Sequence, residues 1–77
     1  MTLDEASIGK TYQIVAIYTI GTLKQRLLEI GFLPETSIRI IKIAPMGNPI
    51  QIEIRHYVFT LRKDIAKTIE VRESENV

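Results

Sequence analysis

Apolar and polar positions alternate with a period of two through most of this chain, and one stretch breaks that rhythm. Ile50-Gln51-Ile52-Glu53-Ile54-Arg55 alternates without error, so a half-buried strand is predicted there, with the isoleucines inward. Tyr57, Phe59 and Leu61 resume the alternation after Arg55-His56, a spacing that predicts a hairpin with Tyr57 and Phe59 in the core. Thr11 to Tyr18 is rich in β-branched and aromatic residues and reads as a strand whose buried face stays open. Ser37 to Ile43 is another strand. Its phase slips at Ile40-Ile41, which fits either burial of both faces or a bulge that re-aims the strand at a barrel corner. Ile69 and Val71 mark a last strand over Thr68 to Arg72, and Arg62 to Lys67 predicts one helical turn.

The exception is Leu23 to Pro34. Apolar side chains at 23, 27, 28 and 30 follow helical spacing. Thr22 with Gln25 forms a capping-box pattern at its start. Gly31 suits the left-handed position that ends a helix, and Pro34 stops any continuation. Pro45-Met46-Gly47-Asn48-Pro49 reads as a turn in which Gly47 and Asn48 take positive φ. The lead-in Met1 to Gly9 has room for one helical turn, and residues 73–77 read as a disordered tail.

About five short strands and one helix must curl to hide their edges. The expected fold is therefore mainly β: a small SH3-like barrel with one inserted α-helix and a short C-terminal helical turn. At 77 residues, the whole of 1–77 is expected to be a single domain. With no cysteine, neither a disulfide nor a thiolate metal site reinforces it, so apolar packing must carry the stability.

Charge narrows the function. The net charge is +1, and Lys and Arg are spread along the chain with acids between them, which argues against a dedicated nucleic-acid binder. No apolar run approaches the roughly 20 residues needed to span a bilayer, and Met1 to Glu5 is acidic where a signal peptide is basic. A cytoplasmic location without direct membrane insertion is expected. Gly9-Lys10-Thr11 hints at a phosphate loop, but Asp4 stands where that motif needs its first glycine. His56 is a lone histidine, better placed in a turn than in a metal cluster. Glu29, Glu35, Glu53 and Glu70 lie on different elements and read as solvated carboxylates, and no nucleophile stands near a base. No catalytic, cofactor or metal residue is assigned, and no enzyme activity is expected. What remains is apolar surplus. Tyr18, Leu28 at the rim of the helix and Met46 at the tip of a proline-bounded turn are candidate partner contacts, with Arg26 as a cationic one.

Several segments together resemble the FeoA family, the small cytoplasmic component of bacterial ferrous iron transport. They are Gly9 with Tyr12-Gln13-Ile14, Leu23 to Pro34, Ala44 to Ile50, Tyr57 with Leu61-Arg62-Lys63, Ala66, and Ile69-Glu70-Val71. The resemblance runs from about residue 3 to residue 72. It departs from the family at two turns, where Glu35 and His56 replace glycine. If positive φ is needed at Glu35, the strain costs about 1 kcal/mol. The resemblance implies an SH3-like barrel and an accessory, regulatory role in ferrous iron transport. Its partner would be a larger membrane transporter with a cytoplasmic GTP-binding domain. It carries no catalytic residues; Arg26 and Arg62 qualify as arginine fingers by residue type alone. The resemblance does not say whether GTP hydrolysis is altered. A small-barrel nucleic-acid-binding or metal-responsive regulatory module, including one that binds a transition metal ion, is the alternative, and weak self-association stays open.

Overall fold

The computed structural model describes residues 1–74. A single 3₁₀ turn at Leu3–Glu5 leads into β1 (Thr11–Ile17), α1 (Gly21–Ile30) and β2 (Ser37–Ile43). A second 3₁₀ turn at Pro45–Gly47 precedes β3 (Ile50–Ile54), β4 (Tyr57–Leu61), α2 (Lys63–Ala66) and β5 (Ile69–Glu73). All strand neighbours are antiparallel, and the sheet order is β4-β3-β2-β1-β5. The sheet wraps one core: Tyr12, Ile14, Ile38, Ile40, Ile50, Ile52, Ile54, Ile69 and Val71 from the strands meet Leu3, Leu27, Phe32 and Ala66. This is the mainly β fold with one helix that the hydrophobic pattern predicts.

Two bulges make the wrapping possible, and the one in β2 appears in the sequence as a slip of phase. In β2 the register against β3 shifts between Ile40 and Lys42, so Ile38, Ile40 and Ile43 face the core while Ile41 turns outward. The bulge, not burial of both faces, explains Ile40-Ile41. In β1 the register against β5 shifts between Ile14 and Ala16, leaving Val15 outside and bringing Ile17 opposite Ile69. That resolves the buried face of β1 as Tyr12, Ile14 and Ile17. An extra residue in one strand bends it and sharpens its twist, which a short sheet needs if it is to close round a core.

The turns carry the unusual backbone. Arg55 (φ 50°) and His56 (φ 70°) connect β3 to β4 with both residues left-handed, the type I′ geometry that matches strand twist. Leu33 to Thr36 closes with Thr36 N–H donating to Leu33 O at 3.1 Å; Pro34 precedes Glu35, which has φ 70° in the slot that favours glycine. Both departures from family glycines therefore fall at left-handed positions.

Four expectations are corrected. The capping box at Thr22 and Gln25 does not form, because α1 begins two residues earlier than that box requires, at Gly21, with Ile20 as N-cap and no side-chain cap bond. In the 45–49 turn the left-handed residues are Met46 (φ 71°) and Gly47 (φ 82°), while Asn48 is extended. Tyr57 shares the core-facing phase of Phe59 but lies at the open end of β4 and is 61% exposed. Glu73 belongs to β5 opposite Tyr12, and Ser74 N–H donates to Thr11 O at 3.0 Å, so the proposed tail does not start at 73; its last residues fall outside the described ones.

Candidate functional site

Chemistry would need ionisable groups that converge in a concavity. One concavity, about 440 Å³, is a cleft at the mouth of β2 and the β3–β4 hairpin, lined by Thr11, Thr36, Ser37, Ile38, Arg39, Glu53, Arg55 and His56. Its carboxylate is engaged: Arg39 Nη2 donates to Glu53 Oε1 at 2.7 Å, across a directly opposed strand pair. Arg55 runs back over the end of α1. A Cβ added at Gly31 would fall 2.5 Å from Arg55 Cδ, which the exposed arginine side chain can relieve by moving aside; the φ of 121° is what favours glycine there. Among the described residues, no group of three or more His, Cys, Asp or Glu is placed to hold a metal. The lone His56 sits in the hairpin turn.

The better candidate is the surface built by α1 and its approach. Leu27 is the only buried residue of the helix, with Ile30 half-buried beside it. At about 100° per residue, Leu23, Leu27 and Ile30 fall within an arc of about 60°, a narrow stripe; Leu27 and Ile30 anchor the helix to the core, while Leu23 stays exposed. Leu28 and Arg26 lie about 100° to either side of Leu27. Both are exposed, on opposite flanks of that stripe. Ile20, the N-cap residue, is 83% exposed, more than any of the helix leucines. Its omission from the sequence-derived set has a simple cause: its phase fits the stripe, but a residue at N-cap stands outside the helix and its side chain does not follow helical phase.

The approach to α1 is held rigidly. Tyr18 N–H donates to Thr68 O at 2.7 Å. Thr68 Oγ1 spends its hydrogen on Ile65 O at 2.6 Å, which leaves the buried Thr19 hydroxyl to donate to Thr68 Oγ1, also at 2.6 Å. The Tyr18 ring is exposed, and its hydroxyl donates to Glu70 Oε1 at 3.0 Å. That bond to Glu70, together with the carboxylate charge, raises the phenol above its ordinary value. Tyr18 therefore offers an aromatic face in a fixed orientation.

Met46 belongs to a different loop, between β2 and β3. Its side chain is 100% exposed. The loop is tied down by Asn48 Oδ1, which accepts from Lys63 N–H at 2.9 Å and so caps α2 from a distance. Thus Tyr18, Arg26 and Leu28 share one chain segment, and Met46 projects from a separate one. No described helix is long and apolar enough to cross a membrane.

Comparison with known proteins gives this geometry a context. Over 71 residues, 92% of this chain, it is 37% identical to a Campylobacter jejuni protein assigned as Fe(2+) transport protein A, covering 96% of that protein. Over the same share it is 34% identical to a Porphyromonas gingivalis fusion of Fe(2+) transport protein A with the Fe(2+) transporter FeoB, of which it spans only 8%. Among solved structures, the zinc-complexed FeoA of Stenotrophomonas maltophilia, described as an SH3 domain protein, superposes with a TM-score of 0.82 at 25% identity, covering 92% of this chain and 88% of that one. The FeoA domain family matches residues 1–73, and the chain belongs to that family.

Proposed function

We propose that this FeoA domain is an accessory, regulatory protein of ferrous iron transport that works in the cytoplasm by docking onto the transporter and its GTP-binding domain, without catalysing a reaction itself. The observation that carries this reading is the fusion relative, in which a homologous segment shares one polypeptide with a FeoB transporter. Two domains that act together are often joined, since a tether raises their effective concentration. The α1 surface supports the reading from the other side. A helix anchored through Leu27 leaves Ile20, Leu23 and Leu28 partly or largely exposed, next to a Tyr18 ring fixed by Glu70. Exposed aromatic and aliphatic anchors beside a cation such as Arg26 are what a protein interface uses. Met46 provides a second contact only if the partner reaches round to the β2–β3 loop. Arg26 reads as a rim charge, not as a catalytic finger. With a net charge of +1 and dispersed cations, nucleic acid is not a partner in this reading.

The test is calorimetric titration of this chain with the transporter's isolated cytoplasmic domain, with a GTP analogue and with GDP. Binding in at least one nucleotide state is expected. Ile20→Glu and Leu28→Glu, both at exposed positions, should each weaken it by about tenfold or more while leaving the urea midpoint in place. Absence of binding in both states would remove the proposal.

A further inference from the structure

The sheet has two edges, and among the described residues only one of them is covered. On the outer side of β5, Val71 N–H donates to Met1 O at 2.8 Å and Thr2 bridges to Glu70. On the outer side of β4, no backbone group has a partner among the described residues. Which groups these are follows from the hairpin. Its two-residue turn makes Ile54 and Tyr57 a hydrogen-bonded pair, so Tyr57, Phe59 and Leu61 direct their N–H and C=O toward β3. Val58 and Thr60 direct theirs outward. Open edges are normally guarded by a charge, a proline, a bulge or a cover. Tyr57-Val58-Phe59-Thr60-Leu61 has no charge and no proline, and its register against β3 is unbroken.

We infer that β4 is a self-pairing edge: two copies of this chain associate by antiparallel pairing of their β4 strands, with Val58 opposite Thr60 of the second copy and Phe59 on the two-fold axis.

This register follows from the open groups. It is the one that joins both outward-facing residues of each strand, giving about four backbone hydrogen bonds, whereas pairing Val58 with itself or Thr60 with itself gives about two. It is also self-complementary in side chains. On the core face, Tyr57 lies opposite Leu61 of the second copy, and Phe59 opposite Phe59 of the second copy. On the outer face, valine lies opposite threonine. No like charges meet, and every pair combines residues that favour strands. The core face of β4 is only partly covered in the single chain. Phe59 and Leu61 are half-buried, and Tyr57 stacks at the margin with its ring centroid 6.0 Å from that of Phe59. A second β4 extends the sheet over that margin, which makes another copy of this strand a better occupant than an arbitrary peptide. The contact is two-fold and isologous, so it closes at a dimer and does not propagate into a fibre. It is also small, so the dimer is weak and populated at high protein concentration.

Sedimentation velocity on the full chain tests this together with amide exchange. The weight-average mass should rise above 8.8 kDa as concentration approaches about 1 mM. Over the same range, exchange at the Val58 and Thr60 amides should slow. Val58→Lys/Thr60→Lys, which sets like charges opposite one another in this register, should raise the dissociation constant by about tenfold or more. Val58→Lys/Thr60→Glu sets opposite charges there and should retain the dimer. A mass that stays at 8.8 kDa throughout overturns the inference. So does a dimer equally indifferent to both double variants. If Val58 and Thr60 are protected only when the transporter's domain is added, the edge takes a strand from that partner and self-pairing is refuted.

Discussion

The two margins of this sheet are built from opposite materials. β5 reads Ile-Glu-Val-Arg-Glu, carries charges at Glu70, Arg72 and Glu73 and is overlaid by Met1 and Thr2. The 3₁₀ turn that follows packs against both β5 and α2 and buries Leu3 completely. β4 reads Tyr-Val-Phe-Thr-Leu, carries no charge and ends in exposed Tyr57 and Val58. A sheet this short cannot afford two open edges, because each is a row of unpaired backbone groups that templates association. The difference suggests a division of labour: the β5 margin is sealed for stability, and the β4 margin is left available.

Breaking the seal should have the largest effect. Leu3→Ala removes a fully buried side chain that locks the covering segment over β5. A loss of about 3 kcal/mol is expected, read from the urea midpoint at constant slope. The amide of Val71 should exchange faster, because its acceptor is Met1 O. Val58→Ala on the open margin should cost about 0.5 kcal/mol or less, since that side chain is 52% exposed and supports little. Similar losses at the two positions would erase the contrast between the margins.

A smaller effect should come from the hairpin that presents β4. His56 has φ 70°, where a side chain is strained by about 1–2 kcal/mol, and glycine returns part of that gain as extra freedom in the unfolded chain. His56→Gly should therefore stabilise the fold by about 0.5 kcal/mol. Glu35→Gly, at the same φ in the turn before β2, should act in the same direction. Relief of strain in the turn leaves the outward groups of Val58 and Thr60 untouched, so a thermal midpoint that rises without any change in association state would sharpen the comparison. A lower midpoint would show that these turns are held by contacts of the side chains and not merely tolerated.

How far the sequence foretold this molecule depends on what each residue answers to. Alternation in β3 reports burial directly, and its five residues fall as the pattern says. The doubled isoleucines at 40 and 41 point to the bulge because a slip of phase has few other causes in a strand. Tyr57 misled because phase fixes the face of a strand but not how far along it the core extends. The Thr22 capping box failed because a local signal was competing with Gly21, whose φ of 71° sets the entry into α1. Ile20 was hidden for a related reason, since exposure at an N-cap depends on how the approaching chain is tethered. That tether is the long-range link from Thr19 and Tyr18 to Thr68, which no local pattern encodes. The candidate contacts were legible as apolar surplus, but their division between the flanks of α1 and the Met46 loop required the fold.

The finest effect belongs to the sealed side, where Tyr18 reaches across to Glu70 on β5. The phenol is raised from 10.0 by its hydrogen bond to Glu70 and by the carboxylate charge. A folded-state value above the unfolded one means that the fold favours the protonated phenol. The contribution is therefore fully present below the ordinary phenol value and is lost as pH rises through the raised one. It is constant through neutral pH, and only the alkaline limb of a stability profile should show its loss. Glu70→Gln removes the charge but keeps an acceptor in place, so the Tyr18 titration followed by its ring resonances should move down toward the ordinary value. An unmoved midpoint would mean that Glu70 does not hold the ring in solution, and the fixed aromatic face beside Ile20 would then lose its support.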